Sequence, residues 1–379
     1  MPPKNIAIIT GQLVVGGAER QLYLWLLHMD RERFRPVVLT LHPDNDDYWE
    51  DPVESLGVPL LRAPRRKNKF ERLVEVTNML RPYHPCLVHG WHIFASPYAG
   101  AVSRLLGAQA SLGSLRSSFD SYIKARSLSW LTEHLVDGIM VNSKTAGIQL
   151  VQSNHWTEEK VHIVPNAVEL LPDDRSRARR RLRETCGIPE SRVWIGSMGR
   201  FDPGKRFDLL LKVMADLRAS DENVHLVLIG YGPMEASLKS QVEAYRISDC
   251  VTFVGKEPEA RKWLSALDIF CFPSPDEGLP NVVMEAAAAG LPVVSWRTPF
   301  LEELMDEVNS SLLAESGNLN EFIGAIKSLI HDPQLRNDLG QAGRRQISNK
   351  FSIDLYIAGM TKVYEKLLAV NPETLARKL

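Results

Sequence analysis

The densest run of chemically useful residues is Pro273-Ser274-Pro275-Asp276-Glu277-Gly278-Leu279-Pro280-Asn281-Val282-Val283-Met284-Glu285, followed by four alanines, Gly290-Leu291-Pro292 and two valines. An apolar run at 269–272 precedes it and an alanine-rich helical segment follows, so Glu277 falls in a loop at the carboxyl end of a strand and Glu285 about one turn inside a helix. Such loops are where open α/β sheets bind ligands. The unpaired N–H groups near Leu279, Pro280, Asn281 and Val282, together with the helix dipole, suit a phosphate. A carboxylate inside the helix can accept both hydroxyls of a ribose, and one in the loop can accept sugar hydroxyls. Acidic residues also favour helix N-termini for electrostatic reasons alone, but the string taken whole reads as a binding site.

A second motif, Gly199-Arg200-Phe201-Asp202-Pro203-Gly204-Lys205-Arg206, also stands between a strand and a helix. Arg200 and Lys205 on a glycine-punctuated loop can clamp a diphosphate. A third, Gly11 to Glu19, carries the pair Gly16-Gly17, which lets backbone approach a ligand at a helix start; it fits neither the dinucleotide fingerprint nor the P-loop. Val88-His89-Gly90-Trp91-His92 ends a strand, and His89 or His92 could orient an acceptor hydroxyl, against the plainer reading of histidines bonded to backbone. Asp44-Asn45-Asp46-Asp47 has the look of a metal-binding run but reads as a solvated loop, and no metal site is expected. Arg175 to Arg183 holds six arginines in nine positions and reads as a solvated helix face. Arg62, Arg65, Arg66, Lys67 and Lys69 form a basic loop where an anionic membrane surface or anionic acceptor could dock.

These motifs need a frame of strands and helices. Apolar runs at 4–10, 36–41, 58–61, 86–89, 108–113, 138–142 and 161–165 alternate with amphipathic stretches, and the pattern repeats at 193–198, 224–229, 251–254, 269–272 and 292–296. Helices are expected at 70–80, 207–217, 233–244, 259–267 and 281–289, with helix from 315 to the end. Such alternation indicates parallel sheets with helices on both faces. The chain of 379 residues allows two domains or three, and Pro165-Asn166-Ala167-Val168 with the polar stretch at 172–175 is a credible linker. A net charge of −1, with 45 Lys plus Arg against 46 Asp plus Glu, excludes a protein built to coat nucleic acid. The four cysteines lie at 86, 186, 250 and 271, too dispersed for a disulfide framework or a cysteine zinc site. With no signal-peptide pattern and no long apolar span, the expected location is cytoplasmic.

Taken together, the motifs resemble those of retaining glycosyltransferases of the GT-B fold, in family 4 (glycosyl transferases group 1), over nearly the whole chain. Gly16-Gly17-Ala18-Glu19 resembles the family's N-terminal glycine loop, and Pro165-Asn166-Ala167-Val168 its Pro-Asn-Gly-Val hinge with alanine for glycine. Arg200 and Lys205 match its diphosphate-binding pair, Glu277 and Glu285 its paired glutamates for donor sugar and ribose, and Gly230-Tyr231-Gly232-Pro233 its Gly-x-Gly-Pro turn. The resemblance implies two Rossmann-like, doubly wound α/β domains facing a cleft. The first, at 1–168, would bind the acceptor, and the second, at 169–350, the nucleotide-sugar donor; a helix at 351–379 would cross back onto the first. Its departures are Ala286-Ala287-Ala288 after the second glutamate and Trp296 to Glu303 in place of a glycine-rich loop, which leave the sugar open. Gly113-Ser114-Leu115-Arg116 stands where many members carry histidine, so Arg116 is expected at the donor sugar or acceptor.

The implied reaction moves a hexose or N-acetylhexosamine from a nucleotide-diphosphate sugar, with UDP as the guess, to a hydroxyl of a glycan, glycolipid or polyisoprenoid-linked acceptor. Glu277, His92 and Arg116 are the expected catalytic residues. Gly16, Gly17, Arg200, Lys205, Leu279 to Val282 and Glu285 join Glu277 at the donor, and His89, His92 and Arg116 lie at the acceptor. No cofactor is expected, and peripheral contact with the inner face of a membrane is allowed. A sugar-nucleotide epimerase, a phosphorylase and a non-catalytic nucleotide-sugar-binding subunit remain alternatives.

Overall fold

The structure, a computed structural model, describes residues 2–44, 47–65, 68–170, 175–189, 191–257, 259–305 and 312–369. The chain divides into two compact units, Met1–Ala167 with Ile353–Leu379, and Val168–Ser352.

The first unit is built on seven parallel strands, β1 (Lys4–Thr10), β2 (Phe34–Thr40), β3 (Leu60–Arg62), β4 (Leu87–Gly90), β5 (Ala110–Leu115), β6 (Gly138–Val141) and β7 (Val161–Ile163), in the order β3-β2-β1-β4-β5-β6-β7. β1 lies between β2 and β4, with Ile8 opposite Val38 on one side and His89 on the other. Its side chains alternate between two cores, as the two-residue period requires. Ile6 and Ile8 join Leu22, Trp25, Tyr356, Met360 and Tyr364 on one face, while Ala7 and Ile9 join Val76, Leu80 and Ala99 on the other. Burial on both faces explains why the strand reads as apolar throughout. The helix Ile353–Ala369 returns to this unit and buries Tyr356, Met360, Val363, Tyr364 and Leu367 along one stripe. The Tyr364 ring stands edge-on to Trp25 at 5.4 Å and to Phe34 at 5.7 Å.

The second unit has six parallel strands, β8 (Val193–Met198), β9 (Val224–Ile229), β10 (Val251–Gly255), β11 (Ile269–Phe272), β12 (Val293–Trp296) and β13 (Leu313–Ala314), in the order β10-β9-β8-β11-β12-β13. Each sheet reverses its winding once, between β1 and β4 in the first unit and between β8 and β11 in the second. The crevice outside the strand ends at such a reversal is where this architecture binds ligands.

Several elements differ from the sequence expectation. The strand expected at 108–113 runs Ala110–Leu115, because Gly107 closes the preceding helix in a left-handed conformation and its turn consumes the next residues. Arg116 therefore follows the strand directly. The helix expected at 259–267 shrinks to Arg261–Leu264, and the helix after 315 breaks at Asp332, whose side chain caps Pro333–Lys350 by accepting from Leu335 N at 2.9 Å.

Candidate active site

In the second unit the loops after β8 and β11 meet. Lys205 Nζ is ion-paired with Glu277 Oε1. The Ser274 hydroxyl lies 3.0 Å from the same oxygen and 3.3 Å from Gly204 O, tying the two loops together. The pair is partly open, with Glu277 20 % and Lys205 31 % exposed. A pair so exposed contributes at most about 1 kcal/mol, so Lys205 can turn to an incoming anion at little cost. Arg200 is 66 % exposed, with Nε 3.2 Å from Asp202.

Backbone contacts with the turn after β9 hold the Arg200 loop. Gly199 N donates to Ile229 O at 3.0 Å, Phe201 N to Tyr231 O at 2.8 Å, and Met234 N to Phe201 O at 2.9 Å. Gly230 has φ of 145°, and a Cβ there would lie 1.9 Å from Gly199 O. The Gly230-Tyr231-Gly232-Pro233 turn is therefore a seat for the Arg200 loop. The helix Asn281–Ala288 starts after Pro280 with no side-chain cap. Leu279 and Pro280 are buried there, while Asn281, Val282 and Glu285 stay partly exposed. Trp296 donates its indole N–H to Pro273 O at 3.0 Å, so the residue that departs from the glycine-rich pattern braces the loop before Glu277.

In the first unit the corresponding reversal gathers the loop after β1 and the segment after β4. Gly16 is the N-cap of the helix Gly17–His28 and offers no side-chain hydrogen bond. His92 Nε2 lies 3.2 Å from Glu19 Oε1, within ion-pair distance. Phe94 stacks on the His92 ring at 5.1 Å. Trp91 donates its indole N–H to Ala18 O at 2.8 Å. Its ring carries Arg116, whose guanidinium carbon lies 3.8 Å from the ring centroid. Arg116 Nη1 donates to Asn166 Oδ1 at 3.3 Å. Desolvation pulls the Arg116 pKa below the ordinary arginine value, opposed by Tyr356, Tyr364 and Glu19.

The expectation for His89 is corrected by its surroundings. The residue is wholly buried, with Nδ1 2.8 Å from the Tyr364 hydroxyl and Nε2 2.7 Å from Ser114 Oγ. Burial holds its pKa well below the usual histidine value, with Arg116 adding to the effect. Both nitrogens being engaged, His89 is a neutral core residue that presents nothing to an acceptor. Sequence reading passed over Ser274 and the pairing partner role of Glu19; only the latter had a signal, its place in the first turn beside the glycine pair.

The remaining charged motifs have local partners. Arg179 pairs with Asp268 at 2.9 Å and stacks on Trp194 at 4.1 Å, and Arg181 lies 5.0 Å from the Trp263 ring. Arg62 pairs with Glu50 and Glu54, and Arg65 with Asp44. Arg66, Lys67, Asn45, Asp46 and the linker residues at 172–174 lie outside the described residues. Asp47 Oδ2 accepts from Asp44 N at 3.2 Å, closing a turn. Among the described residues no group of three or more His, Cys, Asp or Glu could hold a metal, and no helix is long and apolar enough to cross a membrane.

Comparison with known proteins identifies the family. Residues 178–346 match the model for glycosyl transferases group 1, and residues 15–170 that for glycosyltransferase family 4. A lipopolysaccharide core biosynthesis glycosyltransferase of Rhizobium meliloti, LpsE, is 32 % identical over 370 residues, 94 % of this chain and 97 % of that protein. The chain belongs to the group 1 glycosyltransferases. Among solved structures, Anabaena HepE in complex with UDP and glucose is similar with a TM-score of 0.82 at 17 % identity, covering 96 % of this chain and 100 % of that one. WaaG, a glycosyltransferase involved in lipopolysaccharide biosynthesis, has a TM-score of 0.75 at 15 % identity, covering 97 % and 100 %. At these identities the likeness shows the GT-B fold alone. In this group 1 glycosyltransferase, Arg200, Lys205, Glu277 and Glu285 fall inside the first matched segment, and Gly16, Gly17, His92 and Arg116 inside the second.

Proposed function

We propose that the protein transfers a hexose or N-acetylhexosamine from a UDP-sugar to a hydroxyl of a glycan or lipid-linked acceptor, with retention of configuration and without a metal ion. The observation that carries the reading is the meeting of Lys205, Ser274 and Glu277 at the β8/β11 reversal, beside an uncapped helix start. Arg200, Lys205 and the N–H groups near Asn281 would neutralise the departing diphosphate as the sugar gains oxocarbenium character. Fixed charge aimed at developing charge is commonly the largest catalytic term. Glu277 holds the transferred sugar, Glu285 the ribose, and His92 the acceptor hydroxyl. The UDP complex of HepE supports the choice of nucleotide, and the named role of LpsE supports a cell-surface polysaccharide as product.

In this reading residues 1–168 serve the acceptor and 169–350 the donor. The enzyme works in the cytoplasm, and lipid-linked acceptors would draw it to the inner face of the membrane. The exposed Phe70 at the start of the helix Lys69–Leu80 supports such contact, which pelleting with anionic vesicles at low salt tests. The principal experiment is a thermal-shift panel of nucleotide sugars followed by proton NMR of the product. A donor at one hundred times its dissociation constant stabilises by about 2.7 kcal/mol. An α-linked donor is expected to give an α-linked product in the presence of EDTA. Release of an altered nucleotide sugar without acceptor would instead identify an epimerase.

A further inference from the structure

Arg116 differs from the other cations described in the first unit. Arg62 and Arg65 reach carboxylates at the surface, and Arg31 donates to Leu26 O. Arg116 has an aromatic ring beneath it and a single amide oxygen at Nη1. Its Nε and Nη2 are buried and make no hydrogen bond of ordinary geometry, while the nearby Tyr356 hydroxyl favours its charged form. Among the described residues no carboxylate lies within ion-pair distance of it, and the Glu19 carboxylate is engaged by His92. Burying a cation without a counter-ion is unfavourable, and each covered N–H left unmatched adds to the loss.

The two unmatched atoms are not scattered. Nε–H and Nη2–H form one straight edge of the guanidinium, the edge that meets the two oxygens of a carboxylate or phosphate in parallel hydrogen bonds. The opposite nitrogen, Nη1, is anchored to Asn166, and the face is seated on Trp91, itself pinned to Ala18 O. The residue as a whole remains partly exposed. It follows β5, and its stacking partner Trp91 precedes His92.

We infer that Arg116 receives an oxyanion, a carboxylate or phosphate carried by the acceptor, and so selects acidic acceptors. The inference rests on the reading of this unit as the acceptor-binding one; the cations assigned to the donor diphosphate, Arg200 and Lys205, belong to the other unit.

Inorganic phosphate is the probe, added to the full chain against chloride at matched ionic strength, with melting temperature and calorimetry as readouts. Phosphate is expected to stabilise the wild type and Lys205→Ala, and to bind Arg116→Met at least tenfold more weakly. Without ligand, Arg116→Met should melt no lower than wild type, because it removes an unpaired buried cation. Arg116→Lys keeps the charge but loses the two-pronged edge, and should bind phosphate several-fold more weakly while folding normally. UDP affinity should stay within twofold in both Arg116 variants. A phosphate affinity that is the same in the double variant Arg116→Met/Lys205→Ala as in Lys205→Ala, or a response that disappears in Lys205→Ala alone, overturns the inference. So does a UDP loss in Arg116→Met as large as in Lys205→Ala, which would make the oxyanion the donor's own diphosphate. Failure of the underlying functional reading shows separately, as a wild type that binds no UDP.

Discussion

Glu277→Gln isolates the charge of one oxygen atom while keeping its shape. In the protein Glu277 Oε1 is approached by Ser274 Oγ at 3.0 Å and by Lys205 Nζ. The glutamine carbonyl still accepts from Ser274, so the loop keeps its anchor. The lost ion pair is partly exposed on both sides and contributes at most about 1 kcal/mol, so the melting temperature should move by only a few degrees. Activity should respond more. A hydrogen bond to a charged group contributes about 1.5–3 kcal/mol and a neutral one about 0.5–1.5 kcal/mol. The difference, roughly 1–1.5 kcal/mol, corresponds to about a tenfold fall in kcat if the bond to the transferred sugar tightens in the transition state. Steady-state kinetics with donor varied at saturating acceptor reads this directly. An unchanged kcat with a raised KM would refute the reasoning, since that pattern belongs to an interaction equal in ground and transition states. A fall of many degrees in melting temperature would refute it differently, by making Glu277 structural.

Gly230→Ala puts a Cβ 1.9 Å from Gly199 O at φ 145°, so stability should fall by about 2 kcal/mol or more, and UDP affinity should fall with it as the Arg200 loop moves; wild-type UDP affinity in calorimetry would contradict the role given to that turn. Glu19→Ala removes the partner of His92 and should raise the acceptor KM roughly fivefold, from an ion-pair contact of about 1 kcal/mol, with UDP affinity unaltered. Acid should unfold the protein early. Burial, with Lys366 nearby, pushes His162 down to about 4, and burial with Arg192 pushes His225 to about 4. Their folded pKa values lie below the unfolded one, so the unfolded chain binds more protons as pH falls; stability is full above about pH 6.5 and drains towards pH 4, by roughly 3 kcal/mol at most for each histidine. Urea midpoints that stay flat from pH 7 to 4.5 would contradict this.

The strands were the most legible part of the sequence. β1 and β9 are buried on both faces, and such strands must be apolar without alternation. The loops bearing Arg200 and Glu277 were legible for the same reason, since each follows such a run and opens with glycine or proline. What could not be read was the direction of individual side chains. His89 and His92 stand three positions apart, yet one is sealed by Tyr364, 275 residues later, and the other meets Glu19. Nothing local to β4 distinguishes them. Ser274 is an ordinary residue in a proline-flanked turn until the loop holding Gly204, 70 residues earlier, is brought beside it. The stacking of Arg116 on Trp91 likewise depends on β4 and β5 being neighbours in the sheet. Elements defined by one turn of helix, such as Arg261–Leu264, carry too few residues to express a period.

The central claim is that the loops after β8 and β11 hold the diphosphate of a nucleotide donor. Calorimetric titration of UDP into wild type, Arg200→Ala and Lys205→Ala tests it most directly. Each cation should contribute about 1.5–3 kcal/mol through a charge-assisted hydrogen bond, so each variant should bind roughly tenfold to a hundredfold more weakly than wild type. A wild type that does not bind UDP, or two variants that bind it as tightly as wild type, would contradict the account.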